Sequence, residues 1–133
     1  MKNKITEMIL PFVNSYLATA QWVTCDSNEG RRGFTKQAIK IASNDCKTFI
    51  DKVFAEFTQD EAEAILNYQG SDVSVLAGHD FFLTRNRHGA GFFDKKSYNQ
   101  LAIDGCNRLT NLAIECGTVD VWISKNGFIQ FDI

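Results

Sequence analysis

The sequence predicts an α+β fold in which three to four helices pack on a four-stranded, mainly antiparallel sheet made of two β-hairpins. Two observations support this prediction. Apolar residues recur at helical spacing through the first half of the chain, and residues 79–94 and 119–132 each have the pattern of strand, turn and strand. Because an isolated hairpin is marginal in water, we expect the two hairpins to join in one sheet within a single domain, residues 1–133.

The first two predicted helices have clear boundaries. The first runs to about Trp22, and Pro11 either kinks it or lies in its first turn. Thr35 can cap a second helix, whose apolar stripe continues to Phe57. These helices are expected to cover one face of the sheet.

The third predicted helix begins at a capping box formed by Thr58 and Glu61, and it ends before Gly70. Ser71 can cap one further helical turn, which Gly78 would close. The central segment of the chain follows directly.

The carboxy-terminal part is predicted as a last helix and a hairpin. Ser97 opens the helix and Gly117 stops it. Apolar and polar residues then alternate from Val119, and Asn126–Gly127 predicts a type I′ turn, after which Phe128–Ile133 returns as the final strand.

The central segment, residues 78–94, holds both histidines of the chain and two arginines. Aromatic runs at Phe81–Leu83 and Phe92–Phe93 flank a polar stretch with two glycines, which is typical of a hairpin with a longer loop. If the loop of this hairpin has five residues, Phe93 packs inward with Phe81 and Leu83, and all three side chains are then structural.

Two registers of this hairpin remain open. A five-residue loop at Arg85–Gly89 sets Asp80 opposite Asp94, whereas a two-residue turn at Asn86–Arg87 sets His79 opposite Asp94. Either register groups ionisable side chains closely.

These side chains are the candidate binding site, because arginine donates to phosphates and carboxylates and histidine titrates near neutral pH. The competing interpretation is a solvated hairpin tip. No catalytic template is present and the spacing matches no metal motif, so we expect neither a metal nor a cofactor and leave catalytic residues unassigned. The candidate residues are His79, Asp80, Thr84, Arg85, Asn86, Arg87, His88 and Asp94.

The net charge, the hydropathy and the cysteines of the chain argue against several classes of protein. The formal net charge of −2 argues against general nucleic-acid binding. No segment has the length of a membrane span, and no signal peptide is evident. The four cysteines form no CxxC pair, so we expect reduced thiols, no disulfide and a cytoplasmic protein.

The segment Ala77–Asp94 resembles a group of small bacteriophage-encoded proteins, which carry A-G-H-D-F-W-L-T-R-N-x-H-G-A-G-F-W-D at this place. The chain departs from that pattern with Phe82 and Phe93, where the group has tryptophan. Tyr16–Trp22 and Val119–Ile133 are similar to the group's first helix and closing hairpin.

The resemblance implies a phage protein in the host bacterial cytoplasm, and it assigns no activity. We therefore expect a small interaction protein that binds a host or defence component, as anti-CRISPR and other counter-defence proteins do. The alternative is a nucleotide- or phosphate-binding protein, or a small enzyme, that uses the polar side chains of the central segment.

Overall fold

The computed structural model describes residues 2–25, 32–69 and 75–132, with the backbone alone for residues 2–8. Helices dominate the described residues, and one short hairpin completes them. The elements are α1 (Lys2–Thr24), α2 (Lys36–Glu56), α3 (Gln59–Leu66), α4 (Leu76–Arg85), a single 3₁₀ turn (Phe92–Asp94), α5 (Tyr98–Leu101), α6 (Gly105–Glu115), β1 (Asp120–Ile123) and β2 (Ile129–Asp132).

The prediction of helices on a four-stranded sheet is wrong. Within the described ranges, the sheet consists of β1 and β2, which pair antiparallel with Val121 opposite Phe131. The central segment, predicted as a hairpin, instead forms α4, a loop and the 3₁₀ turn. Both proposed hairpin registers are therefore wrong as well.

The hairpin prediction failed because α4 has almost no solvent-facing side. From Ala77 to Arg85, every residue except His79 is buried. A helix that is buried all round shows no alternation of apolar and polar faces, so its period is invisible in the sequence. Its two adjacent phenylalanines then favour a strand on propensity.

Helix α4 packs most extensively against α1, and Gly78 lies where the two backbones meet. A Cβ atom on Gly78 would lie 2.4 Å from the carbonyl oxygen of Phe12. Gly78 was expected to close a helical turn, but it lies inside α4 and permits this close approach. Helix α1 itself continues through Pro11 as one element.

The predicted caps of α2 and α3 are confirmed. The Thr35 hydroxyl accepts a hydrogen bond from the Ala38 amide at the start of α2. The capping box of α3 is complete, because Thr58 accepts from the Glu61 amide while the Glu61 carboxylate accepts from the Thr58 amide. The helical turn predicted to begin at Ser71 lies outside the described residues.

The last predicted helix is broken into α5 and α6. Asp104 takes a left-handed conformation at φ 55°, and the chain changes direction there. A Cβ on Gly105 would lie 2.4 Å from the Tyr98 carbonyl oxygen, so the two helices meet backbone to backbone. Gly117, at φ 76°, follows the end of α6 as predicted.

The carboxy-terminal hairpin is confirmed, but its turn type is not. The Ser124 amide donates to the Phe128 carbonyl, and the Gly127 amide donates to the Ser124 carbonyl. Gly127 has φ 87°, and Asn126 is not among the residues with positive φ. The connection is thus a three-residue loop closed by a left-handed glycine, where a type I′ turn would need positive φ at both central residues.

Aromatic rings fill the space between α1, α2 and α4. The rings of Phe49 and Phe81 stack with centroids 4.2 Å apart, and Phe12, Tyr16 and Phe92 pack around them. Phe81 and Leu83 are buried as expected, whereas Phe93 is 57% exposed. The expectation that Phe93 packs in the core was wrong because it depended on the strand alternation.

No helix among the described residues is long and apolar enough to cross a membrane.

The crossing of α1 and α4 can be tested at Gly78. We expect Gly78→Ala to lower the free energy of unfolding by roughly 1–3 kcal/mol, the range for overpacking, since the new methyl would meet the Phe12 carbonyl. Gly89→Ala is the matched control, because nothing lies within 4 Å of a Cβ there. Urea unfolding of both variants measures the difference. Equal stabilities would show that the backbones do not need this approach.

Candidate functional site

Asp80 is fully buried and collects three partners. Its carboxylate accepts from the Tyr98 hydroxyl at 2.7 Å, pairs with Lys95 Nζ at 3.0 Å and lies 2.9 Å from His79 Nδ1. This cluster joins α4 to the chain that follows the 3₁₀ turn. A carboxylate that orients a histidine can support general-base chemistry. Here, however, the same carboxylate also connects three segments of the fold.

Arg85 is buried at 4% exposure and is fixed from three sides. Its Nη1 donates to Asp45 Oδ2 at 2.7 Å and to the Tyr16 hydroxyl at 3.0 Å. Its Nε donates to the Gly117 carbonyl and its Nη2 to the Cys116 carbonyl. Arg85 therefore joins α4 to α1, α2 and the end of α6. Its carboxylate partner, Asp45, lies outside the predicted site.

Helix α4 ends in a two-bond cap whose left-handed position is an arginine. The His88 amide donates to the Leu83 carbonyl at 2.8 Å, and the Arg87 amide donates to the Thr84 carbonyl at 3.0 Å. This is a Schellman motif, in which the left-handed residue is usually glycine. Arg87 occupies that position at φ 60°.

The side-chain amide of Asn86 connects the same helix end to the hairpin through both its nitrogen and its oxygen. Its Nδ2 donates to the Phe82 carbonyl at 3.1 Å, and its Oδ1 accepts from the Val119 amide at 2.9 Å. Asn86 therefore holds the residue that precedes β1 against the end of α4.

The loop after the cap is held by side chains of the predicted site. Thr84 Oγ1 accepts from the Phe92 amide at 3.0 Å, and a Cβ on Gly91 would meet that hydroxyl at 2.2 Å. Asp94 Oδ2 accepts from the Ala90 amide at 2.7 Å, while Lys95 Nζ donates to the Ala90 carbonyl. Ala90 has φ 67°, so the loop holds a second left-handed residue without glycine.

An outward-facing group of side chains remains, which we call the loop surface: Arg87, His88, Phe93, Lys96 and Ile114. Lys96 Nζ lies 4.8 Å from the centroid of the Phe93 ring. A groove of about 290 Å³ runs between this loop and α6. Residues 87, 88, 93 and 96 are exposed, and 36% of Ile114 is exposed.

The eight predicted site residues thus divide into three sets. Arg87 and His88 are exposed, whereas Asp80, Thr84 and Arg85 are buried and make contacts within the fold. The remaining three are His79, Asn86 and Asp94, each of which bonds to a neighbouring part of the chain.

Sequence reasoning missed several residues of these clusters. Asp45 and Tyr16 lie 40 and 69 positions from Arg85, and no local pattern connects them to it. Lys95 and Tyr98 were overlooked because the hairpin registers directed attention to Asp94. Phe93 was expected in the core and instead belongs to the exposed surface.

Two buried tyrosines stay neutral over a wide pH range. Burial raises the pKa of Tyr98, and the neighbouring Asp80 carboxylate raises it further. Burial also raises the pKa of Tyr16, although the adjacent Arg85 guanidinium opposes the shift. Both phenols therefore act as hydrogen-bonding groups in the folded protein.

In the part of the chain that the structure describes, no three His, Cys, Asp or Glu side chains come together as a possible metal site. The four cysteines lie within the described residues and no disulfide joins them, and burial raises the pKa of Cys46 well above its usual value. A comparison of the chain with protein-family models, curated proteins and solved structures finds no match.

The two arginines of the predicted site should differ sharply in their effect on stability. We expect Arg85→Ala to lower the free energy of unfolding by roughly 2–4 kcal/mol, because the Tyr16 hydroxyl and the Cys116 and Gly117 carbonyls lose a charged donor. Arg87→Ala should change it by less than about 0.5 kcal/mol, as at an exposed position. Urea denaturation of each variant provides the comparison. A stable Arg85→Ala protein would contradict the structural role of this guanidinium.

Alkaline pH should destabilise the fold through the buried tyrosines. Their pKa is raised in the folded state above the ordinary value of about 10. The stability that they contribute is therefore complete below about pH 10 and is lost as pH rises above it, by up to about 1.4 kcal/mol per pH unit for each group. Urea unfolding between neutral and alkaline pH should show a smaller pH slope for Tyr16→Phe and Tyr98→Phe than for the wild type. Native-state tyrosinate absorbance that rises normally at both sites would refute this.

Proposed function

We propose that the protein is a small accessory protein that binds a host or defence component, and that it makes this contact through the loop surface. The resemblance to phage-encoded proteins is the reason to seek the partner in a bacterial host. Backbone strain, rigidity and residue type favour this surface.

The observation that supports the proposal best is the left-handed conformation of Arg87. A non-glycine residue in this conformation costs on the order of 1 kcal/mol or more, and such residues cluster at functional sites. Glycine would satisfy the Schellman motif at lower cost. The guanidinium of Arg87 is exposed and forms no hydrogen bond or ion pair with another described residue. A function of the side chain in binding would account for the retained strain.

Rigidity is the second support. The amides of His88, Ala90 and Phe92 all donate to acceptors within the same part of the fold. A loop that is already ordered pays little conformational entropy when it binds, so its exposed side chains can contribute more of their contact energy to affinity.

Residue type is the third support. Arginine and exposed aromatic residues are enriched among the residues that dominate protein interfaces. Phe93 is 57% exposed, and Lys96 lies over its ring. Arg87 and Lys96 carry two positive charges beside the one carboxylate of Asp94, so the loop surface presents more positive than negative charge. An acidic protein patch is the complementary partner surface.

A phosphate ligand is the second candidate, and the groove beside the loop favours it. Arg87 and His88 both line this groove, and its volume of about 290 Å³ is near the lower limit for small-molecule sites. ATP and inorganic phosphate in a thermal-shift assay distinguish the two. A stabilisation that disappears in Arg87→Gly would favour the ligand over the protein partner.

The variant Arg87→Gly should separate stability from function. We expect the free energy of unfolding to rise by up to about 1 kcal/mol, because glycine relieves the left-handed strain. We expect capture of partner protein from bacterial lysate to fall at least about tenfold, because an interface arginine is lost. Quantitative mass spectrometry of the captured proteins provides the measurement.

Ala90→Gly is the matched control for this variant. It relieves a left-handed residue in the same loop while leaving Arg87 in place, so it should gain stability and keep its partner. If Arg87→Gly captures the same proteins in the same amounts as wild type, the loop surface is not the binding site.

A further inference from the structure

The two edges of the small sheet differ in what covers them. On the outer edge of β2, the Ile129 amide donates to the Gly33 carbonyl at 2.8 Å, and the Ile129 carbonyl accepts from the Thr35 amide at 3.1 Å. The Arg32 amide also donates a hydrogen bond to the Gly127 carbonyl, in the loop before β2. The chain before α2 therefore covers the amino-terminal end of this edge, from Gly127 to Ile129.

The outer edge of β1 carries backbone groups that no described residue pairs. The Ser124 amide donates to β2, so Trp122, two residues earlier, also directs its backbone groups to β2. The amides and carbonyls of Val121 and Ile123 consequently point away from the sheet. No described residue bonds to them there, although the preceding outward amide, that of Val119, is capped by Asn86.

A groove of about 400 Å³ lies beside this edge. Val23 and Thr24 at the end of α1 line this groove, together with Phe82 of α4 and His88 of the cap that follows it. Residues 118–121 also line it. An added strand lies about 4.8 Å from its neighbour, so one extended chain can follow the edge. A second copy would bring the acidic side chain of its own β1, Asp120, to this edge, so a peptide segment of opposite charge is the better occupant.

The charges on the exposed face of β1 define the chemistry of that segment. Asp120 and Asp132 lie directly opposite each other in the register, and both are exposed. Like charges in opposed positions destabilise a sheet. Trp122 lies next to them at 43% exposure, with its Nε1 donating to Asp132 Oδ1 at 3.2 Å. A cationic side chain here would pair with the carboxylates and lie against the indole.

We propose that the outer edge of β1 binds an extended peptide segment of a partner by strand addition, and that this segment alternates basic and apolar residues. Its backbone would pair with the outward amides and carbonyls of Val121 and Ile123. Its apolar side chains would lie on the same face as those two residues. Its basic side chains would lie on the other face, beside Asp120 and Trp122, because successive side chains of a strand alternate in direction. This site shares His88 with the loop surface and does not depend on Arg87.

A labelled peptide that alternates arginine and valine is the probe, measured by fluorescence anisotropy near physiological salt. A block peptide of the same composition controls for simple charge attraction, and a glutamate–valine peptide controls for its sign. We expect the alternating basic peptide to bind at least about tenfold more tightly than either control. Equal binding of the alternating and block peptides would overturn strand addition.

Val121→Pro tests the edge directly. Proline removes an outward amide and leaves the ladder bonds to β2 in place, as is tolerated on edge strands. Binding of the alternating peptide should weaken at least about tenfold, whereas Arg87→Gly should bind it as wild type does. Wild-type affinity in Val121→Pro would refute the proposal.

Amide hydrogen exchange gives an independent measurement if that variant fails to fold. In the wild type, the peptide should slow exchange at Val121 and Ile123 and leave the inward amide of Trp122 unchanged. Unchanged exchange at the two outward amides would also refute the proposal. Sedimentation of the protein alone completes the test, since a dimer that Val121→Pro abolishes would assign the edge to a second copy and overturn the peptide.

Discussion

Burial of α4 on nearly every side is the constraint on which the rest of the structure depends. The helix carries a carboxylate at Asp80 and a guanidinium at Arg85 into the interior, and a buried charge without a partner is very costly. Each charge is therefore met by another element: Lys95 and Tyr98 for the first, Asp45 and α1 for the second. These pairs require α1, α2 and the chain after the 3₁₀ turn to surround α4 in one arrangement.

The same constraint separates structural from available residues in the central segment. Side chains within α4 have partners inside the fold, so a ligand could reach them only by displacing those partners. The segment after the helix differs, because its backbone is held by internal bonds while Arg87 and Phe93 face outward. Left-handed backbone at Arg87 and Ala90 means that this loop has not been optimised for stability alone.

The sequence predicted those features that depend on interactions between residues close together in the chain. The caps at Thr35 and Thr58, the stop at Gly117 and the closing hairpin follow from interactions within a few residues, and they were visible in the sequence. The state of α4 was not, since a helix without a solvent face has no amphipathic period. The Arg85–Asp45 pair spans 40 positions and leaves no trace in spacing. Arg87 and His88 would be exposed at the tip of a hairpin, and they are also exposed at the end of a helix. Their exposure was therefore predicted although the predicted hairpin was wrong.

Asn86 connects the two exposed regions on which the proposals rest. Its side chain bonds to the last turn of α4 through Phe82 and to the start of the β1 edge through Val119. The neighbouring His88 lines both the groove at the loop surface and the groove at β1. A single partner could therefore cover the loop with an acidic patch and extend a basic, strand-forming segment along β1. Because Asn86 fixes the spacing of the two sites, such a partner would meet both without reordering the backbone between them, and the second contact would form at a high effective concentration once the first is made.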